Sequence, residues 1–105
     1  MVIVNFDPQS RHEQKGRRPA MVVSLRLFNQ HTGLTMVCPI TNTNRHHPFH
    51  IRLPDHSSVN GFIMVEQIKS IDFTSRKIKF VEKAPQAILH EVLAILDACL
   101  YEDSE

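Results

Sequence analysis

The chain has 105 residues, 42% hydrophobic and 22% charged, which predicts one globular domain with a single modest core over residues 1–105. Its net charge of +1 favours neither a polyanionic nor a membrane partner for the chain as a whole. The charge is nevertheless uneven: residues 9–20 carry four cations and one carboxylate, whereas residues 97–105 carry four carboxylates and no cation.

The chain shows neither a signal-peptide pattern nor a run near the roughly 18 apolar residues of a membrane span. We therefore expect no membrane contact and a cytoplasmic location with reduced thiols. The two cysteines, Cys38 and Cys99, lie far apart in the sequence and are expected to be small buried hydrophobes.

Most of the chain consists of short β-like runs separated by turn residues. "MVIVNF" predicts a strand that stops at Asp7-Pro8, residues 9–19 a polar loop, and "AMVVSLRLF" at 20–28 a second strand that ends in a turn at 29–33. "LTMVCPIT" at 34–41 predicts a third strand, in which Pro39 requires an edge or a bulge.

Three further segments continue this β pattern. "FHIRL" alternates like a half-buried strand, "FIMVEQIKSID" at 62–72 predicts a strand with a bend, and "KIKFV" at 77–81 alternates again. Strands at such short spacing predict a small antiparallel sheet or barrel over about residues 1–81.

The last fifth changes to helical periodicity. Apolar residues at i, i+3, i+4 and i+7 spacing predict one amphipathic helix over about residues 85–101, starting at Pro85, with its apolar face covering an open end of the barrel or a partner chain. The stripe consists of Ile88, Leu89, Val92, Leu93, Leu96, Cys99 and Leu100.

The polar loop "RHEQKGRRP" could support chemistry on a phosphodiester. Cleaving RNA without a metal requires a base for the 2′-OH, an acid for the leaving 5′-oxygen and cations for the phosphoryl oxygens. Glu13 or His12 could be the base, and Arg17 or Arg18 could hold the phosphate. Composition alone favours a solvated loop that contributes only solubility, because most charge clusters are solvated faces.

A second polar cluster, "RHHPFH", contains His46, His47 and His50. These histidines flank the entry to a strand, and a zinc site there would need ligands from distant positions. We therefore expect them to be surface or groove residues, and we expect no metal site and no cofactor.

The motifs together resemble the MazF/PemK (Kid) family of toxin–antitoxin ribonucleases. Residues 13–19, "EQKGRRP", resemble the family's E-Q-x-G-x-R-P signature, and "FDP" before them fits its first strand. "VCPIT", "HPFHIRL" and "VEQIKSID" are similar to the later family blocks in order and spacing, so the resemblance spans essentially the whole chain.

This resemblance implies a mainly β fold: a small SH3-like antiparallel β-barrel with a C-terminal amphipathic α-helix, MazF/CcdB-like and normally a homodimer. It also implies metal-independent cleavage of single-stranded RNA at short sequences, leaving 2′,3′-cyclic phosphate and 5′-OH ends. The RNA would lie in a groove across the dimer, which the cognate antitoxin blocks with an acidic C-terminal segment.

Carried over to this chain, the resemblance implies a catalytic set and a substrate-binding set. Arg18 would be the general acid and phosphate stabiliser, Glu13 the loop glutamate needed for activity, and Thr41 the threonine bonded to the scissile phosphate. Since arginine stays protonated in proteins, electrostatic stabilisation is its more secure role. The substrate-binding set is His12, Gln14, Lys15, Arg17, Glu66 and Gln67.

The chain also departs from the family pattern. Met64-Val65-Glu66 replaces the Arg-x-Asp of Kid-type members, so the acid at Met64 is lost, and Arg11 replaces a glycine. Two alternatives therefore stay open: a CcdB-like gyrase inhibitor that cuts nothing, and a degenerate toxin that only binds RNA or antitoxin.

Overall fold

The computed structural model describes residues 1–5 and 17–100, and of residues 2–5 it describes the backbone. Seven strands lie in these ranges: β1 (Val2–Asn5), β2 (Arg17–Val22), β3 (Leu34–Thr41), β4 (His50–Arg52), β5 (Phe62–Met64), β6 (Lys69–Asp72) and β7 (Ile78–Phe80). Helix α1 (Arg26–Thr32) joins β2 to β3, a 3₁₀ turn (Val65–Gln67) joins β5 to β6, and helix α2 (Gln86–Leu100) ends the described chain.

The strands form one antiparallel sheet in the order β4-β5-β3-β2-β1-β7, and β6 pairs with the first half of β3. Within residues 1–5 and 17–100 these pairings leave β4 and β7 as edges, so the sheet does not close into a full barrel. The mainly β fold with a C-terminal helix that the sequence predicts is confirmed.

Strand β3 is the centre of the sheet, and its residues from Val37 to Ile40 are buried. Its first half pairs with β6 as far as Val37↔Lys69, and its end pairs with β5 from Ile40↔Ile63. Pro39 falls in the gap between these two partners. Pro39 therefore lies in a central strand, paired with Ala20 of β2, and not at an edge, one of the two positions that the sequence predicts. The missing N–H of proline is tolerated because neither β5 nor β6 pairs with this residue.

The predicted second strand over residues 20–28 is wrong in its second half, and so is the turn predicted at 29–33. Strand β2 ends at Val22, and Arg26–Thr32 form helix α1. Ser24 ends the strand because its hydroxyl accepts the Met36 N–H at 3.0 Å and donates to Asn29 Oδ1 at 2.6 Å. The misleading signal was the alternation of Leu25 and Leu27, which are exposed rather than buried.

The core lies on both faces of β3. The larger cluster includes Cys38, Ile40 and Ile63 on one face, and Ala20, Val37 and Ile71 form the smaller one on the other. Helix α2 closes the larger cluster with Ile88 and Val92. The predicted helix is confirmed, and Pro85 stands one residue before it, its carbonyl accepting the Leu89 N–H.

The two cysteines differ in their surroundings. Cys38 is fully buried, as expected, but Cys99 is exposed, so the expectation of burial was wrong for Cys99. Leu93 and Leu100 are also exposed, because the helical stripe extends beyond the part of the sheet that α2 covers. None of the helices in the described ranges is long and apolar enough to span a bilayer.

Candidate functional site

Strand β2 begins with two of the residues that the sequence analysis places in the site. Arg17 and Arg18 are both exposed, so their guanidinium groups are accessible to a polyanion. The other predicted loop residues, His12, Glu13, Gln14 and Lys15, lie outside the described residues.

The β2–β3 pair places Arg18 and Thr41 at the same end of the sheet. Strands β2 and β3 are antiparallel, with Val22 opposite Val37 and Ala20 opposite Pro39. Arg18 and Thr41 each lie two residues beyond the last of these pairs, where Arg18 is paired with Val4 of β1 and Thr41 with Phe62 of β5. A guanidinium and a hydroxyl separated by 23 residues in sequence are thus placed at one end of the β2–β3 pair.

Thr41 is half-buried at the last position of β3, opposite Phe62. Its Oγ1 accepts the Thr43 N–H at 3.2 Å, so the hydroxyl can still donate its own proton. The backbone here is packed against Gly61: a Cβ added to Gly61 would lie 2.3 Å from the Thr41 carbonyl oxygen. Only glycine allows this approach, which fixes the position of Thr41.

A groove of about 300 Å³ opens beside Thr41. Asn42, the next residue, and Phe62, the strand partner of Thr41, line it with Arg52, Asp55 and Asn60. Its lining offers amide, guanidinium and carboxylate groups beside one aromatic ring. This combination can hydrogen-bond the edge of an unpaired base and stack on its face.

Glu66 and Gln67 lie in the 3₁₀ turn after β5, away from the Thr41 end of the site. Extending the β3–β5 register from Ile40↔Ile63 sets this turn near Cys38, about 10 Å along β3 from Thr41 at 3.3 Å per residue. Consistently, burial and then the Glu66 charge raise the pKa of Cys38 to about 12. The described structure therefore does not bring Glu66 together with Arg18 and Thr41.

Glu66 instead pairs with a histidine of β4. Its Oε2 is 3.0 Å from His50 Nε2, and the His50 side chain is only 4% exposed, so the expectation of a surface position was wrong for His50. Burial alone would raise the pKa of Glu66, but its hydrogen bonds, above all that with His50, and the neighbouring imidazoles outweigh burial and lower it.

His47 completes this cluster. Its ring stacks on His50 with centroids 4.6 Å apart, and its Nδ1 accepts the Phe49 N–H at 3.1 Å. Sequence reasoning missed the cluster because His50 follows the outward alternation of its strand. The 3₁₀ turn lays Glu66 over that outward face, and no spacing pattern signals such a turn.

The chain is similar to known proteins along almost its whole length. The model of the PemK-like, MazF-like toxins of type II toxin–antitoxin systems matches residues 1–100. The endoribonuclease toxin ChpB of Escherichia coli K12 is 39% identical over 103 residues, covering 93% of this chain and 88% of the relative. The endoribonuclease PemK of E. coli is 34% identical over 102 residues, covering 93% and 77%.

Solved structures agree with these sequence relatives. The crystal structure of MazF from Deinococcus radiodurans superposes with a TM-score of 0.83 at 40% identity, covering 94% of this chain and 90% of that chain. The MazE–MazF structure from the same organism gives 0.82 at 35% identity, covering 94% and 88%. The family indicated by the sequence motifs is confirmed: the chain belongs to the PemK/MazF family of type II toxin–antitoxin toxins.

Proposed function

We propose that this chain is the toxin of a toxin–antitoxin system and acts as an endoribonuclease on single-stranded RNA. The observation that carries the proposal is the similarity, along almost the whole chain, to ChpB and PemK, both named endoribonucleases. The location of an exposed Arg18 at the same end of the β2–β3 pair as Thr41 supports the same function, because phosphodiester cleavage needs a cation and a hydrogen-bond donor at the phosphate.

The proposed reaction is an internal displacement at phosphorus. The substrate 2′-OH loses its proton to a base and attacks the adjacent phosphate, the 5′-oxygen leaves with a proton from Arg18, the general acid that the family resemblance implies, and the products are a 2′,3′-cyclic phosphate and a 5′-OH. Arg18 stabilises the charge on the phosphoryl oxygens, and the Thr41 hydroxyl donates to one of them. Glu13 is the proposed base, with His12 as the alternative.

The remaining predicted residues bind the substrate. Arg17, adjacent to Arg18, supplies a second exposed cation for a neighbouring phosphate, and Gln14 and Lys15 extend that contact along the loop. The groove beside Thr41 takes an unpaired base. Glu66 and Gln67 remain proposed substrate contacts at a second position, further along β3.

The proposed partners follow from the relatives. The MazE–MazF structure supports an antitoxin partner. We propose that this antitoxin covers the RNA-binding face with an acidic C-terminal segment, which would match the exposed cations of β2. We further propose a homodimer and a cytoplasmic location, where mRNA is accessible. The exposed leucines of α1, Leu25 and Leu27, are apolar side chains that self-association could cover.

The test is cleavage of end-labelled RNA by the purified protein in EDTA, beside a copy with one deoxynucleotide at the cut position. We expect metal-free cleavage, a cyclic phosphate terminus and full protection by the deoxy substitution. Intact RNA at high protein concentration would contradict the proposal. If RNA were bound without being cut, a degenerate toxin would be indicated, and inhibition of DNA gyrase would indicate the CcdB-like alternative.

A further inference from the structure

We propose that His47, His50 and Glu66 form a binding site for a divalent transition metal, with Zn²⁺ as the preferred ion. Each residue offers one ligand atom, and these three atoms lie within 4.8 Å of one another. The ligands come from the loop before β4, from β4 itself and from the turn after β5. The site is separate from Arg18 and Thr41, and the inference does not rest on the proposed RNA cleavage.

The geometry of the His50–Glu66 pair is already close to that of two zinc ligands. Zn²⁺ binds imidazole nitrogen and carboxylate oxygen at about 2.0–2.2 Å, so two ligands of a tetrahedral ion are about 3.3 Å apart. His50 Nε2 and Glu66 Oε2 are 3.0 Å apart. An ion can therefore replace the proton between these two atoms with little displacement of either side chain.

The second nitrogen of His50 permits this exchange. His50 Nδ1 is buried and has no hydrogen-bond partner. When the metal takes Nε2, the proton of the neutral ring moves to Nδ1, and no existing hydrogen bond is lost there. A metal-bound histidine usually donates its second N–H to a partner, so the absence of one for His50 Nδ1 among the described residues weakens the site relative to a fully partnered one.

His47 supplies the third ligand by a local movement. Its Nδ1 now accepts the Phe49 N–H, and turning the ring towards the ion breaks only this one exposed hydrogen bond. The His47 ring already lies against His50, so the reach is short. Two imidazoles and one carboxylate leave a fourth position for water, and they favour Zn²⁺ over the oxygen-seeking Mg²⁺ and Ca²⁺.

The test is a titration of the chelator-treated full chain with Zn²⁺ against a chromophoric chelator, and with Co²⁺, whose visible absorption reports tetrahedral coordination. We expect one equivalent bound, and at least tenfold weaker binding in His47→Ala and in Glu66→Gln. Glu66→Gln keeps the shape of the side chain and guards against loss of folding. The matched control is His56→Ala, which removes an exposed histidine from another loop.

A second readout is thermal unfolding. A ligand that binds only the native state raises the melting temperature with its concentration. Zn²⁺ should therefore stabilise the parent and His56→Ala but not Glu66→Gln. The inference is overturned if the parent binds no stoichiometric Zn²⁺, or if His47→Ala and Glu66→Gln bind it as tightly as the parent.

Discussion

Replacing Gly61 by alanine tests the backbone packing that holds Thr41 in place. The new Cβ would lie 2.3 Å from the Thr41 carbonyl oxygen and 3.1 Å from its carbonyl carbon, and Gly61 has a φ of +127°. An L-residue is strained at that φ by about 1–3 kcal/mol. To relieve the overlap, the backbone must shift either in β3 or at Gly61, the residue before β5. This shift costs a further ~1–3 kcal/mol.

Gly61→Ala should therefore lower the free energy of unfolding by about 2–6 kcal/mol, a large part of the roughly 5–15 kcal/mol typical of a domain. The assay is urea unfolding followed by circular dichroism, with the slope m compared between variants.

Gly33→Ala is the matched control. Gly33 ends α1 with a φ of +75°, but a Cβ there would meet nothing within 4 Å. It should cost about 1–2 kcal/mol, the left-handed backbone penalty alone. If Gly61→Ala were no more destabilising than Gly33→Ala, the close packing of Gly61 on Thr41 would be refuted.

Three further predictions follow from burial and charge. Val92→Ala should lower the free energy of unfolding in urea by about 2–3 kcal/mol, because it removes two methyl groups from a fully buried position on the side of α2 that faces the core; a loss below 0.5 kcal/mol would contradict that packing. At pH 8 a thiol reagent should label the exposed Cys99 quickly and Cys38 only on unfolding, since burial raises the pKa of Cys38 to about 12; equal rates would refute this difference. Hydrogen bonding to Ser58, first to its side chain and then to its N–H, lowers the pKa of Glu82. The stabilisation is therefore present above the unfolded value of about 4.3 and is lost as pH falls through the folded pKa; an NMR titration giving an ordinary or raised value would contradict it.

The raised pKa of Cys38 also makes the stability of the fold depend on pH in the alkaline range. The folded chain holds the Cys38 proton more tightly than the unfolded chain, whose thiol has an ordinary pKa of 9.0. Unfolding is therefore favoured by proton release above that value, and the contribution of Cys38 to stability falls as pH rises towards 12.

Hydrophobic patterns in the sequence predicted the elements whose burial follows those patterns, namely β3 and α2. Strand β3 was found with its bounds because its apolar run is buried on both faces, and α2 because half of its stripe packs on the sheet. Helix α1 was missed since nothing in "SLRLF" separates a helix with exposed leucines from a strand. Its end depends on Gly33 and on the Ser24 contacts, which form only once β3 is in place.

The site could be predicted in part, and for a different reason. Thr41 has no distinguishing local signal, and only the resemblance to a family linked it to Arg18. The antiparallel pairing of β2 with β3 places both residues at the same end of that strand pair, two residues beyond its last paired positions. The pairing of His50 with Glu66 could not be anticipated, since it depends on how the chain turns after Met64.

The most direct measurement of the central claim is the single-turnover cleavage rate of one RNA, in EDTA, by Arg18→Ala and by Lys83→Ala. Lys83 is an exposed cation at the other end of β1 from the arginines. Its neighbour Glu82 donates its N–H to the Met1 carbonyl before β1, whereas Arg17 is paired with Asn5 at the end of β1. If Arg18 stabilises the transferring phosphate, Arg18→Ala should lose about 10²–10³-fold in rate while Lys83→Ala stays near the parent. An Arg18→Ala protein that cleaves as fast as Lys83→Ala would contradict the assignment.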